Sequence, residues 1–313
     1  LIQKKFIYIW MQEMVKYELL GKIADIYAKG GNILEYLRAI EGRDDNTIED
    51  IMISYDFQAG SYNSKYRKSL DEFNKPLMAM VEIMNMYLPE NGYTLCEAGV
   101  GEGTSFFPLL PHLKKKPAFA CGFDISWSRI LEGIRFGNEF TGLAEMPTQL
   151  VVGDMFEAPY ADKSFDIVYT SHAMEPNGGQ EKQLLAELYR ITSKYLILFE
   201  PIYELASEEA QARMIHHGYV RGLKRQAESL GYSVVHYEML RYSVNEYNPT
   251  GVIVIEKGGV TEWNGLCAPL SKKQLTEYSD CYFCRDSMLS YPKIGGIPCL
   301  SRQNAVLTTK FEA

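Results

Sequence analysis

Residues 93–110 read Tyr-Thr-Leu-Cys-Glu-Ala-Gly-Val-Gly-Glu-Gly-Thr-Ser-Phe-Phe-Pro-Leu-Leu, and this stretch decides how the rest of the chain is arranged. The apolar run Tyr93 to Cys96 predicts a short buried strand, Glu97 to Gly103 a glycine-rich turn, and Thr104 or Ser105 the start of a helix. Glycine at Gly99, Gly101 and Gly103 permits positive φ and lets a ligand come closer than a Cβ would allow. The G-x-G-x-G spacing differs from the G-x-G-x-x-G turn that holds a pyrophosphate. A phosphate would also meet Glu97 at the strand end and Glu102 inside the loop. The turn is better suited to a cationic or amino-acid-bearing ligand.

Downstream, strand and helix patterns alternate, as expected for a parallel sheet with helices on both faces. A second strand, 119–123, ends at Asp124; a third, 150–153, ends at Asp154-Met155-Phe156. The fourth, 165–170, ends at Ser171-His172-Ala173-Met174-Glu175-Pro176, and the fifth, 195–199, at Glu200-Pro201. Strands at 233–240 and 251–256 complete a seven-stranded sheet. In an open parallel sheet ligands bind beyond the carboxyl ends of the strands, so Glu97, Asp124, Asp154 and the Ser171-His172 pair converge on one region. Asp124 follows Glu97 by 27 residues, where an acid can accept both hydroxyls of a ribose diol. The other reading of Asp124 is a cap for the helix whose inner face is Trp127, Ile130, Leu131 and Ile134.

Glu97-x-Gly99-x-Gly101-x-Gly103 resembles the first motif of the class I S-adenosylmethionine-dependent methyltransferases, and the acids at the following strand ends fit the same family. The resemblance implies an α/β fold, a doubly wound, mostly parallel seven-stranded sheet, with S-adenosyl-L-methionine as cofactor. It implies that Asp124 holds the ribose and that Asp154 accepts from the adenine amino group while Met155 and Phe156 cover the ring. Ser171 closes the cofactor site. Tyr55 to Asn63 is similar to a segment that precedes the first motif in small-molecule methyltransferases, which would bring Tyr62 near the methionine carboxylate; a tyrosine-rich helix cap is the other reading. The Ser-Phe-Asp run before the fourth strand is also a family feature and makes Asp166 a structural residue.

Three regions are expected: a helical N-terminal lid over 1–88, the cofactor-binding domain over 89–258, and a small tail over 259–313. The tail, with Cys267, Cys281-Tyr-Phe-Cys284 and Tyr291-Pro-Lys-Ile-Gly-Gly-Ile-Pro-Cys299, resembles the zinc-ribbon activator subunit of tRNA and protein methyltransferases. Leu270 replaces the second cysteine of that family's first pair, so a closed zinc site would have to recruit Cys299. A metal-free remnant is expected, with zinc as the alternative.

The chain has 313 residues, 46% hydrophobic and 23% charged, with a net charge of −8. An overall negative field does nothing to attract a phosphate backbone, which makes nucleic acid an unfavoured substrate. No apolar run approaches a membrane span, and Leu1 to Met11 lacks the features of a secretory leader; a cytoplasmic protein is expected. Methyl transfer from a sulfonium needs alignment and exclusion of water, with a general base only for a hydroxyl or a protonated amine. His172 is the best-placed base or substrate ligand, Glu175 follows it, and Glu200 and His217 with Tyr219 are further candidates. An exposed helix terminus is the other reading of His216 and His217. The expected acceptor is a small molecule, a sugar or secondary metabolite, methylated on oxygen or nitrogen. RNA or protein methylation and a non-catalytic cofactor-binding subunit are the alternatives.

Overall fold

A computed structural model describes residues 18–311 apart from 44–45, 91, 144–145 and 246, so the opening segment 1–11 lies outside the described residues. The chain divides into two compact units, Leu1–Phe57 and Gln58–Ala313. In the first, α1 (Leu20–Ala28), α2 (Ile33–Glu41) and α3 (Ile48–Phe57) bury Ile23, Ile33, Leu37 and Ile53. The Asn32 side chain caps α2 by accepting from the Glu35 amide, and Gly42 ends it in the left-handed region. Asp50 is fully buried and is held by Arg43 at 2.6 Å and by the Thr47 amide at 2.8 Å.

The second unit begins with α4 (Ser61–Lys68) and α5 (Leu70–Tyr87), which the sequence reading had grouped with the N-terminal helices. Then come β1 (Thr94–Ala98), α6 (Phe106–Leu109), β2 (Phe119–Asp124), α7 (Trp127–Gly137), β3 (Thr148–Val152), β4 (Phe165–Ser171), α8 (Glu181–Ile191) and β5 (Thr192–Pro201). α9 (Glu208–His216), α10 (Leu223–Ser229), β6 (Ser233–Met239) and β7 (Thr250–Glu256) complete the layer. The sheet order is β3-β2-β1-β4-β5-β7-β6, with β7 antiparallel to both neighbours and the remaining pairs parallel. The order reverses beside β1, so the glycine-rich turn stands at the switch point.

Alternate residues of each central strand feed opposite faces. Leu95, Ile167, Ile197 and Val254 join a core with α5, α6 and α7; Cys96, Val168, Leu196 and Ile253 join a core with α8 and α10. Burial on both sides explains why these strands read as continuous apolar runs. Asp166 takes the structural role expected of it: it accepts from the Thr94 amide at 2.9 Å and pairs with Lys194 at 2.8 Å, tying β4 to β1 and β5.

The resemblance of the tail to a zinc ribbon is not confirmed. A small antiparallel sheet of β8 (Thr276–Glu277), β9 (Cys281–Cys284), β10 (Leu289–Ile294), β11 (Ile297–Pro298) and β12 (Val306–Leu307) packs into both cores of the second unit, through Tyr282, Tyr291 and Leu300 on one side and Ile297 and Cys299 on the other. Cys281 and Cys284 lie on one continuous strand, paired with Pro292 and Leu289, and a spacing of three sends their side chains to opposite faces. Among the described residues, the tail's thiols do not gather into a cluster able to hold a metal. The tail also completes the sheet border: Val152 of β3 bridges in parallel to Cys299, and the Leu300 amide donates to the Val152 carbonyl at 2.8 Å.

Candidate functional site

The ends of β1, β2, β3 and β4 place the expected residues around the glycine loop. Gly99, Gly101 and Gly103 have φ of +74°, +52° and +72°. A Cβ on Gly99 would stand 2.3 Å from the Ala173 Cβ and 3.1 Å from the Met155 methyl, so this glycine is what lets the loop pass between the ends of β3 and β4. The Gly99 and Val100 amides both donate to the Phe123 carbonyl, at 2.8 and 3.1 Å, which lashes the loop to β2.

Glu97 is buried, and its carboxylate accepts from the Ser105 hydroxyl at 2.5 Å and the Tyr169 hydroxyl at 2.8 Å. Burial pushes its pKa up to about 8 against these hydrogen bonds. Asp124, also buried, accepts from the Gly101 amide at 3.0 Å with Oδ2 and from the Ser126 amide at 2.9 Å with Oδ1. It therefore orders the loop together with Ser126, the residue that caps α7. Each carboxylate oxygen has capacity for a second donor. Asp154 is buried and accepts from the Phe156 amide at 2.8 Å, while Met155 and Phe156 pack partly buried against the core. Ser171 closes β4.

Glu102 does something its place in the loop did not announce. It is buried and turned away from the glycine cradle: Oε1 accepts from the Gly60 amide at 3.0 Å and Oε2 from the Asn63 amide at 2.8 Å. α4 has no side-chain cap of its own, so Glu102 supplies one from the loop and anchors the turn that carries Tyr62.

His172 sits just beyond β4 at φ +54°, a left-handed conformation that is strained for a side-chain-bearing residue. Its Nδ1 lies 3.1 Å from Glu175 Oε2, and its Nε2 lies 2.7 Å from Thr250 Oγ1. Asn248 completes the group by donating to Glu175 at 2.9 Å. Burial acts to lower the His172 pKa, but the hydrogen bond to Glu175 and the charges of Glu175 and Glu200 outweigh it and raise it. Glu200, at the end of β5, is fully buried; Oε1 accepts from the Ala173 and Met174 amides at 3.0 and 3.2 Å. Its other oxygen lies toward Thr170, outside hydrogen-bonding geometry, and burial drives its pKa to about 7. Glu200 thus holds the backbone that follows His172.

His217 caps the C-terminus of α9 and stacks on Tyr219, with ring centroids 5.5 Å apart. Burial raises the Tyr219 pKa to about 12, with Glu175, Arg213 and Tyr62 within electrostatic reach. Glu175 is thus within electrostatic reach of both Tyr62 and Tyr219. Sequence reasoning missed Arg129, Arg213, Asn248 and Thr250, which carry no motif and meet the site only through tertiary packing.

The strand order, the switch-point glycine loop and the acids at successive strand ends define the doubly wound α/β class, whose ligands bind beyond the carboxyl ends of the strands. Within it, residues 96–197 match the family model described as a methyltransferase domain, a segment that runs from β1 into β5 and takes in the ends of β1, β2, β3 and β4 but stops short of Glu200. That segment is a methyltransferase domain, about a third of the chain. A search of curated proteins found no match.

Among solved structures it is similar to a chain from the complex of the Haloferax volcanii Trm112 methyltransferase activator with a methyltransferase, with 15% identity, TM-score 0.49, covering 64% of this chain and 96% of that one. It is also similar to magnesium protoporphyrin IX methyltransferase from Synechocystis with bound S-adenosylhomocysteine, with 16% identity, TM-score 0.43 and coverage of 70% and 92%. Geranyl diphosphate C-methyltransferase from Streptomyces coelicolor gives 14% identity, TM-score 0.45 and coverage of 57% and 79%. None of the three reaches a TM-score of 0.5, and none bears on what this chain acts on.

Proposed function

We propose that the chain methylates a small polar metabolite, of the sugar or secondary-metabolite class, on oxygen or nitrogen, with His172 and Glu175 handling the acceptor's proton. The donor set fits the cofactor. Asp124 offers two oxygens to a diol beside a loop that carries no side chains at its three glycines, and Glu97 offers a buried carboxyl whose ionised form an ammonium would favour. Asp154 with Met155 and Phe156 offers an acceptor and apolar cover for a base. When bound, the cofactor supplies a methyl group already activated by the sulfonium charge.

The observation that carries the reading is the His172–Glu175 pair at the end of β4, braced by Asn248 and Thr250. Glu175 fixes the ring and favours its charged form, so Nε2 is suited to take the Thr250 hydroxyl proton while that oxygen takes the one an acceptor hydroxyl or ammonium loses. Tyr62 and Tyr219 are the rings proposed to hold a small acceptor, and His217 stacks on Tyr219. Among the described residues no helix is long and apolar enough to cross a membrane, and the −8 charge favours a neutral or cationic metabolite over a polyanion. A cytoplasmic pool of such metabolites is the proposed source.

The test is incubation of the purified protein with methyl-labelled cofactor and a cell extract split into metabolite, RNA and protein fractions. Label in the metabolite fraction, lost in His172→Ala with cofactor affinity kept, supports the proposal. Label confined to RNA or protein overturns the small-acceptor reading, and binding without turnover in every fraction would make the chain a non-catalytic subunit.

A further inference from the structure

We infer that Arg129 receives the α-carboxylate at the amino-acid end of the cofactor and sets the site's preference for a zwitterionic ligand. This rests on the S-adenosylmethionine reading of the glycine loop and assigns a role within it to a residue of α7. Arg129 lies in the first turn of that helix, and its amide is the one the Ser126 cap receives, at 3.1 Å. From there the side chain runs back over the loop. A Cβ on Gly101 would stand 2.5 Å from Arg129 Nη2 and 2.8 Å from its Cζ, so the guanidinium lies directly on the glycine that Asp124 also grips. Its other side faces Tyr62, with Cζ 4.6 Å from the ring centroid. The charge is felt across the cradle, since it opposes the upward pKa shifts of both Glu97 and Tyr62.

The cofactor's amino-acid end carries an ammonium and a carboxylate. Asp124 gives the strand ends a negative lining that repels a carboxylate, and Glu97, which burial holds largely protonated near neutral pH, is a group whose ionisation an ammonium would favour. Glu102 holds its two oxygens on the Gly60 and Asn63 amides, and its charge adds to the negative field at Tyr62. A guanidinium laid on the loop supplies the missing positive pole. Its planar fork matches a carboxylate with two parallel hydrogen bonds, and stacking on an aromatic ring restricts the plane of that fork. A cation against the sulfonium would oppose binding, which leaves the carboxylate as the part of the cofactor this side chain can favour. Gly101 is required here for more than its backbone: any side chain at that position would displace the guanidinium.

The experiment is calorimetric titration of the full chain with S-adenosylhomocysteine and with 5′-(3-aminopropylthio)-5′-deoxyadenosine, which keeps the adenosine and the ammonium but lacks the carboxylate. A charge-assisted pair predicts that the wild-type protein prefers S-adenosylhomocysteine by about ten- to a hundredfold. Arg129→Met should remove most of that preference by weakening S-adenosylhomocysteine alone, and Arg129→Lys should keep part of it. Unchanged binding of the carboxylate-free compound in Arg129→Met also shows that the variant is folded. Equal weakening of both ligands in Arg129→Met and Arg129→Lys would mean that Arg129 merely props the loop or Tyr62 and would overturn the inference, as would a preference that survives Arg129→Met. A wild-type protein that binds neither compound would overturn the cofactor reading itself, an outcome separable from failure of the Arg129 assignment.

Discussion

Replacing Glu102 by alanine tests whether the glycine loop really holds the Tyr62 segment in place. The carboxylate makes two charge-assisted bonds to backbone amides, at 3.0 and 2.8 Å, in a setting where the residue is 1% exposed. Each such bond is worth about 1.5–3 kcal/mol, so their loss should ease opening of the turn that carries Tyr62 by about 3–6 kcal/mol. At about 1.4 kcal/mol per decade, amide exchange at Gly60 and Asn63 should speed up by at least about a hundredfold if they exchange by local opening. Hydrogen exchange over residues 58–68, measured by mass spectrometry, reads this directly. Because Tyr62 stacks on Arg129, affinity for S-adenosylhomocysteine should fall as well, while peptides from β6 and β7 keep their protection. Glu102→Gln should be intermediate, since its amide can supply one acceptor but sets an N–H against the second donor. Unchanged exchange over 58–68 in Glu102→Ala would refute the capping role, and with it the idea that the loop orders the Tyr62 segment.

Gly99→Ala combines a φ of +74° with a Cβ placed 2.3 Å from Ala173, so soluble protein should lose cofactor binding by tenfold or more; a variant that titrates normally would contradict this account of the loop. Glu97 and Glu200 are held by burial at about 8 and about 7, against a usual 4.5, so between these values the folded protein binds more protons than the unfolded chain. Their contribution to stability is fully present below about pH 4.5 and is lost as pH rises through 7 to 8, at no more than about 1.4 kcal/mol per unit for each group. The raised His172 acts in the same sense, and the lowered Asp166 and Glu187 matter only at more acid pH. Urea midpoints of the ligand-free protein should therefore fall between about pH 5.5 and 8, and a rise would contradict the burial of both carboxyls. Metal analysis of the purified chain should find well below one zinc per molecule, because β9 points Cys281 and Cys284 apart; stoichiometric zinc would show that the tail folds otherwise.

The sheet was legible because its central strands are buried on both faces. Runs such as Phe165 to Thr170 therefore stand out without alternation, and each ends in the polar residue that the loop beyond it needs. For the same reason Glu97, Asp124 and Asp154 were readable as strand ends that meet. What the sequence could not show were partners chosen by packing over long separations. Glu102 reads as a loop acid, and only the fold brings Gly60 and Asn63 to it. Arg129 looks like an ordinary helix residue until its stem is seen crossing Gly101. Asn248 lies in a turn-rich stretch before β7 and Thr250 opens that strand, and both reach the His172 group only because β7 pairs with β5. The tail misled in a different way: its cysteine spacing resembles a metal knuckle, but the intervening Tyr282 and Phe283 continue a strand instead of turning. Domain limits were harder still, since α5 gives its apolar side to the same core as β1 and cannot be divided from it at residue 88.

The bridge from Val152 to Cys299 joins positions 147 apart in the chain. During synthesis the β3 border would stand uncovered long after its parallel neighbour β2 is in place, inviting a strand from another nascent chain. A ribosome that stalls before residue 299, or a nonsense mutation there, would release a polypeptide with its catalytic half complete and one flank still adhesive. Such a product would fail by clumping before it failed by chemistry.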